Sequence, residues 1–242
     1  MTTTMAPSET LDRRSAARIG AIVIARHGKP HADRKVRIDH HGYREWWAGY
    51  DRARLHPDEK PPEKLVKLAE ASDVIYASTL PRAIHTAEMV AGGRAIVTDP
   101  VFIEAPLPPP PVWGKRSPRA WGVWARIAWW FGRHEDGETR DEAEIRAEAA
   151  VATLTSQALR GQNVLLCAHG WFNRMMRPIL RAQGWREVED GGDSHWSYRR
   201  YEKVKGRQSA IGSRQSELPD FLYPIADLPI ADCRMSPYFV RQ

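Results

Sequence analysis

The order of elements predicts an α/β fold: a three-layer sandwich with a mainly parallel central sheet and helices on both faces. Two observations predict it. Short apolar runs alternate along the chain with segments of helical periodicity. The apolar runs are also nearly continuous, as strands covered on both faces require. A third observation qualifies the picture, because one Trp/Pro-rich stretch breaks the alternation and reads as an inserted lid segment.

IGAIVIA (19–25) reads as the first buried strand. PPEKLVKLAEA (61–71) reads as a helix with prolines at its start. DVIYAS (73–78) is a second strand. LPRAIHTAEMVAGG (80–93) is a helix with Pro81 in its first turn and Gly92-Gly93 as its stop. RAIVTD (94–99) reads as a third strand. Residues 139–161 form the clearest helix, with Thr139 and Glu142 as a capping box and Gly161 as the stop. Ile145, Ala149, Ala152 and Leu159 recur on one side of it and are expected to face the core. NVLLCA (163–168) is a buried strand, WFNRMMRPILRAQG (171–184) a helix interrupted by Pro178, and SHWSYRRYE (194–202) a late strand.

The domain reading follows. Residues 1–18 are a mobile leader, 19–204 the α/β domain, and 205–242 a C-terminal extension. Within the domain, 105–138 is the inserted segment, holding the run Pro108 to Pro111 and five tryptophans, Trp113, Trp121, Trp124, Trp129 and Trp130. Those rings suit a lid over a leaving group, a satellite core or a homodimer face, and packing is expected for most of them. Trp46 and Trp47, in REWWAGYDRARL (44–55), are expected on one helix against the same region.

The composition is that of an ordinary soluble globular protein. No run approaches the roughly 18 apolar residues of a membrane span, and the first 25 residues hold no signal-type apolar core. Two cysteines make no disulfide framework; Cys167 lies in an apolar run and Cys233 has no ligand-spaced partner. A cytoplasmic location fits. A net charge of +6 suits steering of a small anionic substrate; no long basic block or nucleic-acid motif accompanies it, and neither nucleic acid nor membrane is expected as a partner.

In open α/β sheets, sites lie beyond the carboxyl ends of the strands. Two histidines stand there, His27 in Arg26-His27-Gly28 and His169 in His169-Gly170, each followed by a glycine that lets the chain turn and a ligand approach. One strand-end histidine is as a rule structural; two in matching contexts point to a site. Ser78 ends another strand, and Arg82 follows it in the first turn of the next helix, where anions are favoured. Two arginines and two histidines converging on one pocket make a phosphate site by chemistry. Guanidinium forks match phosphate oxygens, and a neutral imidazole attacks phosphorus.

Arg26-His27-Gly28, the run Ser78…Arg82…Thr86-Ala87, Ala168-His169-Gly170 and Gly137-Glu138-Thr139 resemble the histidine phosphatase (phosphoglycerate mutase-like) superfamily over about residues 19–180. The resemblance implies that His27 is phosphorylated on a ring nitrogen, that Arg26, Arg82 and His169 hold the phosphoryl oxygens, and that Glu104 in VFIEAPLP protonates the leaving oxygen. Gly28 and Gly170 shape the phosphate loops, and Asp33, Ser78, Trp113 and Asn173 are candidates for the substrate pocket. No cofactor is implied. No metal is implied either, since His31, His40, His41, His56, His85, His134 and His195 form no zinc-like set.

The resemblance thins where mutases grip substrate. Asp33 stands where they have asparagine, and Ala105-Pro106-Leu107-Pro108 where they have arginine and tyrosine-glycine. A mutase must retain its intermediate, whereas a phosphatase need only admit water. A phosphatase acting on a small phosphomonoester is therefore the leading expectation. A mutase of the same fold and a non-catalytic phospholigand- or protein-binding module are the alternatives.

Overall fold

The computed structural model describes residues 18–132 and 137–204. The C-terminal extension, Cys233 and all but the last residue of the expected leader lie outside these, as do the carboxylates Glu135 and Asp136. Six strands form one sheet in the order β3-β2-β4-β1-β6-β5: β1 (Ile22–Arg26), β2 (Val74–Ala77), β3 (Val97–Thr98), β4 (Val164–Ala168), β5 (Trp185–Asp190) and β6 (Tyr198–Lys203). The pairs β1–β4, β2–β4 and β2–β3 are parallel; β6 runs antiparallel to both β1 and β5. The sheet is thus mixed and mostly parallel.

Alternation along β1 builds the three layers. Ile22 and Ile24 face a core made with α5 (Arg140–Leu159) and α6 (Gly170–Ala182). Val23 and Ala25 face the opposite core, made with α2 (Glu63–Glu70) and α3 (Pro81–Ala91). β4 and β1 up to Ala25 are apolar because both of their faces are covered.

Three expectations need correction. The third strand shrinks to the exposed pair Val97–Thr98, a short edge that leaves little template for unwanted pairing. β5 is an additional strand; WREVED lies at a sheet margin, buries only Trp185 and lacks a continuous apolar run. Helix α5 also buries the other side from the one expected. Ile145 and Leu159 are exposed, while Ala143, Ala147, Ala150, Val151, Leu154 and Ala158 face inward. Both stripes have helical spacing, and the small one wins because alanines let α5 lie close to β1 and β4. The capping box at Thr139 and Glu142 is formed.

The inserted segment carries α4 (Pro118–Trp130), which builds two satellite cores. Trp121 and Ala125 pack with Tyr43, Trp46 and Trp47 of α1 (His40–Arg52). Trp129 packs with Ala105 and Ala143, and Trp130 and Trp171 close around them. The buried indoles satisfy their N–H groups on Ile38 and Glu138 carbonyls.

Candidate active site

His27 leaves β1 at its carboxyl end, and its N–H bonds the Ala168 carbonyl at 2.9 Å. That bond crosses from the end of β1 to the end of β4, where His169 begins the turn into α6. The topology therefore delivers both histidines to one spot, with ring centroids 5.3 Å apart. His27 is 2% exposed and His169 is fully buried.

The His27 ring is oriented by its own backbone: Nδ1–H donates to the Gly28 carbonyl at 2.7 Å. Burial first, and then the charges of Arg82, His169 and Arg26, hold His27 well below the ordinary imidazole range. A neutral ring whose Nδ1 carries the proton presents a bare Nε2 lone pair. His169 is likewise held low by burial and by Arg82, Arg26 and Arg146. Its Nε2 meets the Ser78 hydroxyl at 2.8 Å.

Arg82 enters from the first turn of α3 and is fully buried. Its Nη1 donates to the Tyr50 carbonyl and to Asp51, both at 3.1 Å, and its guanidinium lies 4.5 Å from the Tyr50 ring centroid. Arg26 donates from Nη1 to the Asp193 carbonyl at 2.5 Å. Four basic groups thus lie together out of water, with several donors unspent: Arg26 Nε, Arg82 Nε and Nη2, and His169 Nδ1 are buried without a partner. Buried polar atoms are rarely left so.

The two glycines are explained by contact. A Cβ on Gly28 would stand 2.5 Å from the Trp196 ring, and one on Gly170 3.1 Å from the Arg26 guanidinium. Gly28 N–H also donates to the Thr86 hydroxyl at 3.0 Å, tying the loop after His27 to α3.

Glu104 lines a cavity of about 380 Å³ together with Arg44, Trp47, Asp51, Leu80 and the Pro106–Pro109 run. Its carboxylate also caps α6, accepting from the N–H groups of Phe172 at 2.8 Å and Trp171 at 3.2 Å. Asp51 shares the cavity. Burial raises its pKa although Arg82 opposes the shift.

The remaining candidates separate. Ser78 is in the site. Asn173 is buried and donates to the Ala25 carbonyl at 3.1 Å, a tie between α6 and β1. Asp33 is a solvated loop residue whose carboxylate accepts from Lys35 N–H. Trp113 is 94% exposed and is not among the cavity's lining residues, which include the prolines and Trp47. Sequence reasoning missed Asp51, whose partner is 31 residues away, and Asp193. Burial works against the Asp193 charge, but the Arg177 hydrogen bond and the charges of Arg177, Arg174 and Arg199 prevail and hold its pKa low. Among the described residues no set of three or more His, Cys, Asp or Glu is grouped to hold a metal, and no helix is long and apolar enough to cross a membrane.

Among solved structures, the chain is similar to a mycobacterial glucosyl-3-phosphoglycerate phosphatase (22% identity, TM-score 0.47, covering 67% of this chain and 80% of that one). It is also similar to a putative α-ribazole-5′-P phosphatase from Escherichia coli (22%, 0.45, covering 67% and 79%). A third is a mutant phosphoserine phosphatase from Entamoeba histolytica, in complex with phosphoserine (17%, 0.44, covering 67% and 79%). No curated protein sequence matches significantly. The sequence profile of the histidine phosphatase superfamily (branch 1) matches residues 63–190, more than half of the chain, and this protein therefore belongs to that superfamily.

Proposed function

We propose that this protein is a phosphatase that hydrolyses a phosphomonoester through a phosphohistidine on Nε2 of His27, without a cofactor. One observation carries the reading: buried, unpartnered donors of Arg26, Arg82 and His169 surround a neutral histidine whose Nε2 is free. The two buried guanidiniums repel one another and disfavour charge on either imidazole, and a phosphoryl dianion among them turns that repulsion into attraction.

In this mechanism the Nε2 lone pair attacks phosphorus and the bond to the alkoxide oxygen breaks. The charge on the equatorial oxygens is met by the two guanidiniums and by His169, which Ser78 orients. Water then attacks the phosphohistidine in line and releases phosphate. The organic part of the substrate occupies the cavity beside Glu104. That cavity is walled by Leu80, Trp47 and prolines, which suits a partly apolar alcohol.

Glu104 is the proton donor to the leaving oxygen. A donor must first turn from the α6 amides that both of its oxygens now engage. Asp51 is a second donor, favoured by its place in the same cavity and by burial, which raises its pKa. Retention of the intermediate for a mutase reaction is disfavoured by the absence of the expected substrate grips after Glu104.

The test is release of phosphate from aryl phosphates in excess EDTA. His27→Ala abolishes turnover if the reading holds; turnover at the wild-type rate in that variant refutes it. Glu104→Gln and Asp51→Asn identify the donor. Loss of the true donor slows a poor alkyl leaving group by ~10²-fold or more and spares a nitrophenyl ester, which departs unprotonated.

A further inference from the structure

The loop between β5 and β6 brings a third histidine to the nucleophile. The His195 ring centroid lies 5.6 Å from that of His27, beside the 5.3 Å contact made by His169. The mechanism above does not use it. We propose that His195 belongs to the phosphoryl pocket and donates Nε2–H to a non-bridging oxygen of the group transferred to and from His27. This rests on the phosphohistidine reading.

Two observations independent of the sequence motifs carry it. The first is an unspent polar atom: His195 Nε2 is buried and has no hydrogen-bond partner, like His169 Nδ1 and the Arg26 and Arg82 nitrogens. An imidazole kept only for packing would leave that nitrogen unsatisfied, at a cost that burial of its carbons does not need to bear. The second is the way the loop is held. Trp196, the next residue, is the one non-glycine residue with positive φ among the described residues, at 64°. Its N–H bonds the His27 carbonyl at 3.3 Å, and its indole N–H bonds Glu59. The Ser197 carbonyl accepts from Arg26 N–H at 2.8 Å. On the other side, Asp193 is gripped by Arg174, Arg177 and Arg199. The chain is therefore fastened on both sides of His195, and the fastening includes the residues that carry the nucleophile.

Geometry also assigns the role. A base for the in-line water stands behind that water. The water itself approaches at ~3 Å from phosphorus, and its base lies a further ~2.8 Å away. Such a base cannot have its ring only 5.6 Å from the nucleophile's ring. His195 flanks His27, as His169 does, and so reaches equatorial oxygens. Without an anion the ring is uncharged: burial, and then Arg26, Arg34 and Lys29, lower its pKa to about 3. A neutral ring has one N–H, and the buried Nε2 is where the anion meets it.

The test compares His195→Asn, which keeps a donor, with His195→Phe and His195→Ala, which do not. Binding of orthovanadate, by inhibition, and of inorganic phosphate, by calorimetry, is measured beside thermal unfolding. The proposal expects Phe and Ala to weaken vanadate by about tenfold or more, with Asn within ~3-fold of wild type. A ring needed only for packing gives the reverse order, Phe near wild type and Asn impaired, and overturns the proposal. If turnover depends on His27 but vanadate affinity is the same in all three variants, His195 is refuted and the phosphatase reading stands. If the wild type binds neither anion and shows no His27-dependent turnover, both fall.

Discussion

Gly28→Ala is the most searching single substitution. The new Cβ would lie 2.5 Å from Cε2 and Cζ2 of Trp196 and 2.8 Å from its Nε1. Carbon contacts settle at ~3.5–4.0 Å, so something must yield by about 1 Å. The indole is poorly placed to yield, being bonded to Glu59 and set by a left-handed backbone. Residue 28 is held from the other side, its N–H by Thr86 and its carbonyl by His27 Nδ1. The displacement therefore reaches the His27 ring. Overpacking of this kind costs about 1–3 kcal/mol. At ~2–4 °C per kcal/mol for a domain of this size, that lowers Tm by about 2–12 °C. A shift of about 1 Å at the reacting atom costs ~10²-fold in kcat/KM. Steady-state kinetics on an aryl phosphate and thermal melting by circular dichroism read both effects. The double variant Gly28→Ala/Trp196→Leu recovers part of the Tm. A Gly28→Ala protein with wild-type kcat/KM and Tm would refute the account of why glycine stands there.

Ser78→Ala removes the partner of His169 Nε2 and is expected to cost about 1–3 kcal/mol in urea unfolding and to lower kcat more than it raises KM. Asp193→Asn weakens three arginine contacts at a half-exposed carboxylate, which amounts to about 1–2 kcal/mol, and lowers phosphate affinity because the same loop holds Arg26. Stability should fall on acidification below pH ~6.5, since unfolded imidazoles then take up protons that His27 and His169, with folded pKa values pushed well down, refuse; above ~6.5 neither contributes a slope. Melting from pH 5 to 8 checks this, and His169→Asn should flatten the curve. Trp121→Ala empties a buried site between α1 and α4, so a loss of about 3–5 kcal/mol is expected in chemical denaturation.

The parts of the site that are legible in the sequence are those where one chemical requirement fixes one position. A histidine after an apolar run and before glycine is such a case, and so is an arginine in the first turn of a helix. The strands β1, β2 and β4 are readable because burial on both faces makes them continuous apolar runs. The buried face of α5 is not, because two stripes share its period and only the closeness of β1 and β4 selects the alanine one. β5 escapes for a related reason: an edge position dilutes its apolar pattern with charge. The approach of His195 to His27 cannot be found by spacing, since it comes from 168 residues away through the β5–β6 loop. The signal beside it is the Gly191-Gly192 turn followed by His-Trp-Ser immediately before a strand.

The central place of β1 has a consequence for how the molecule comes into being. Its neighbours in the sheet are β4 and β6, so Ile22 pairs with Val164 on one side and Tyr201 on the other. The strand that leads into His27 is made before the other five and can be seated only after nearly all of the described chain exists. Such distant pairings cost loop-closure entropy before any contact rewards them, and they slow folding. During synthesis His27 must wait, and the local helices form long before it has a pocket. Truncation before β6 would leave β1 an unpaired apolar edge, prone to pair with another chain. The arrangement that buries His27 so well thus makes the first strand synthesised among the last to find its place.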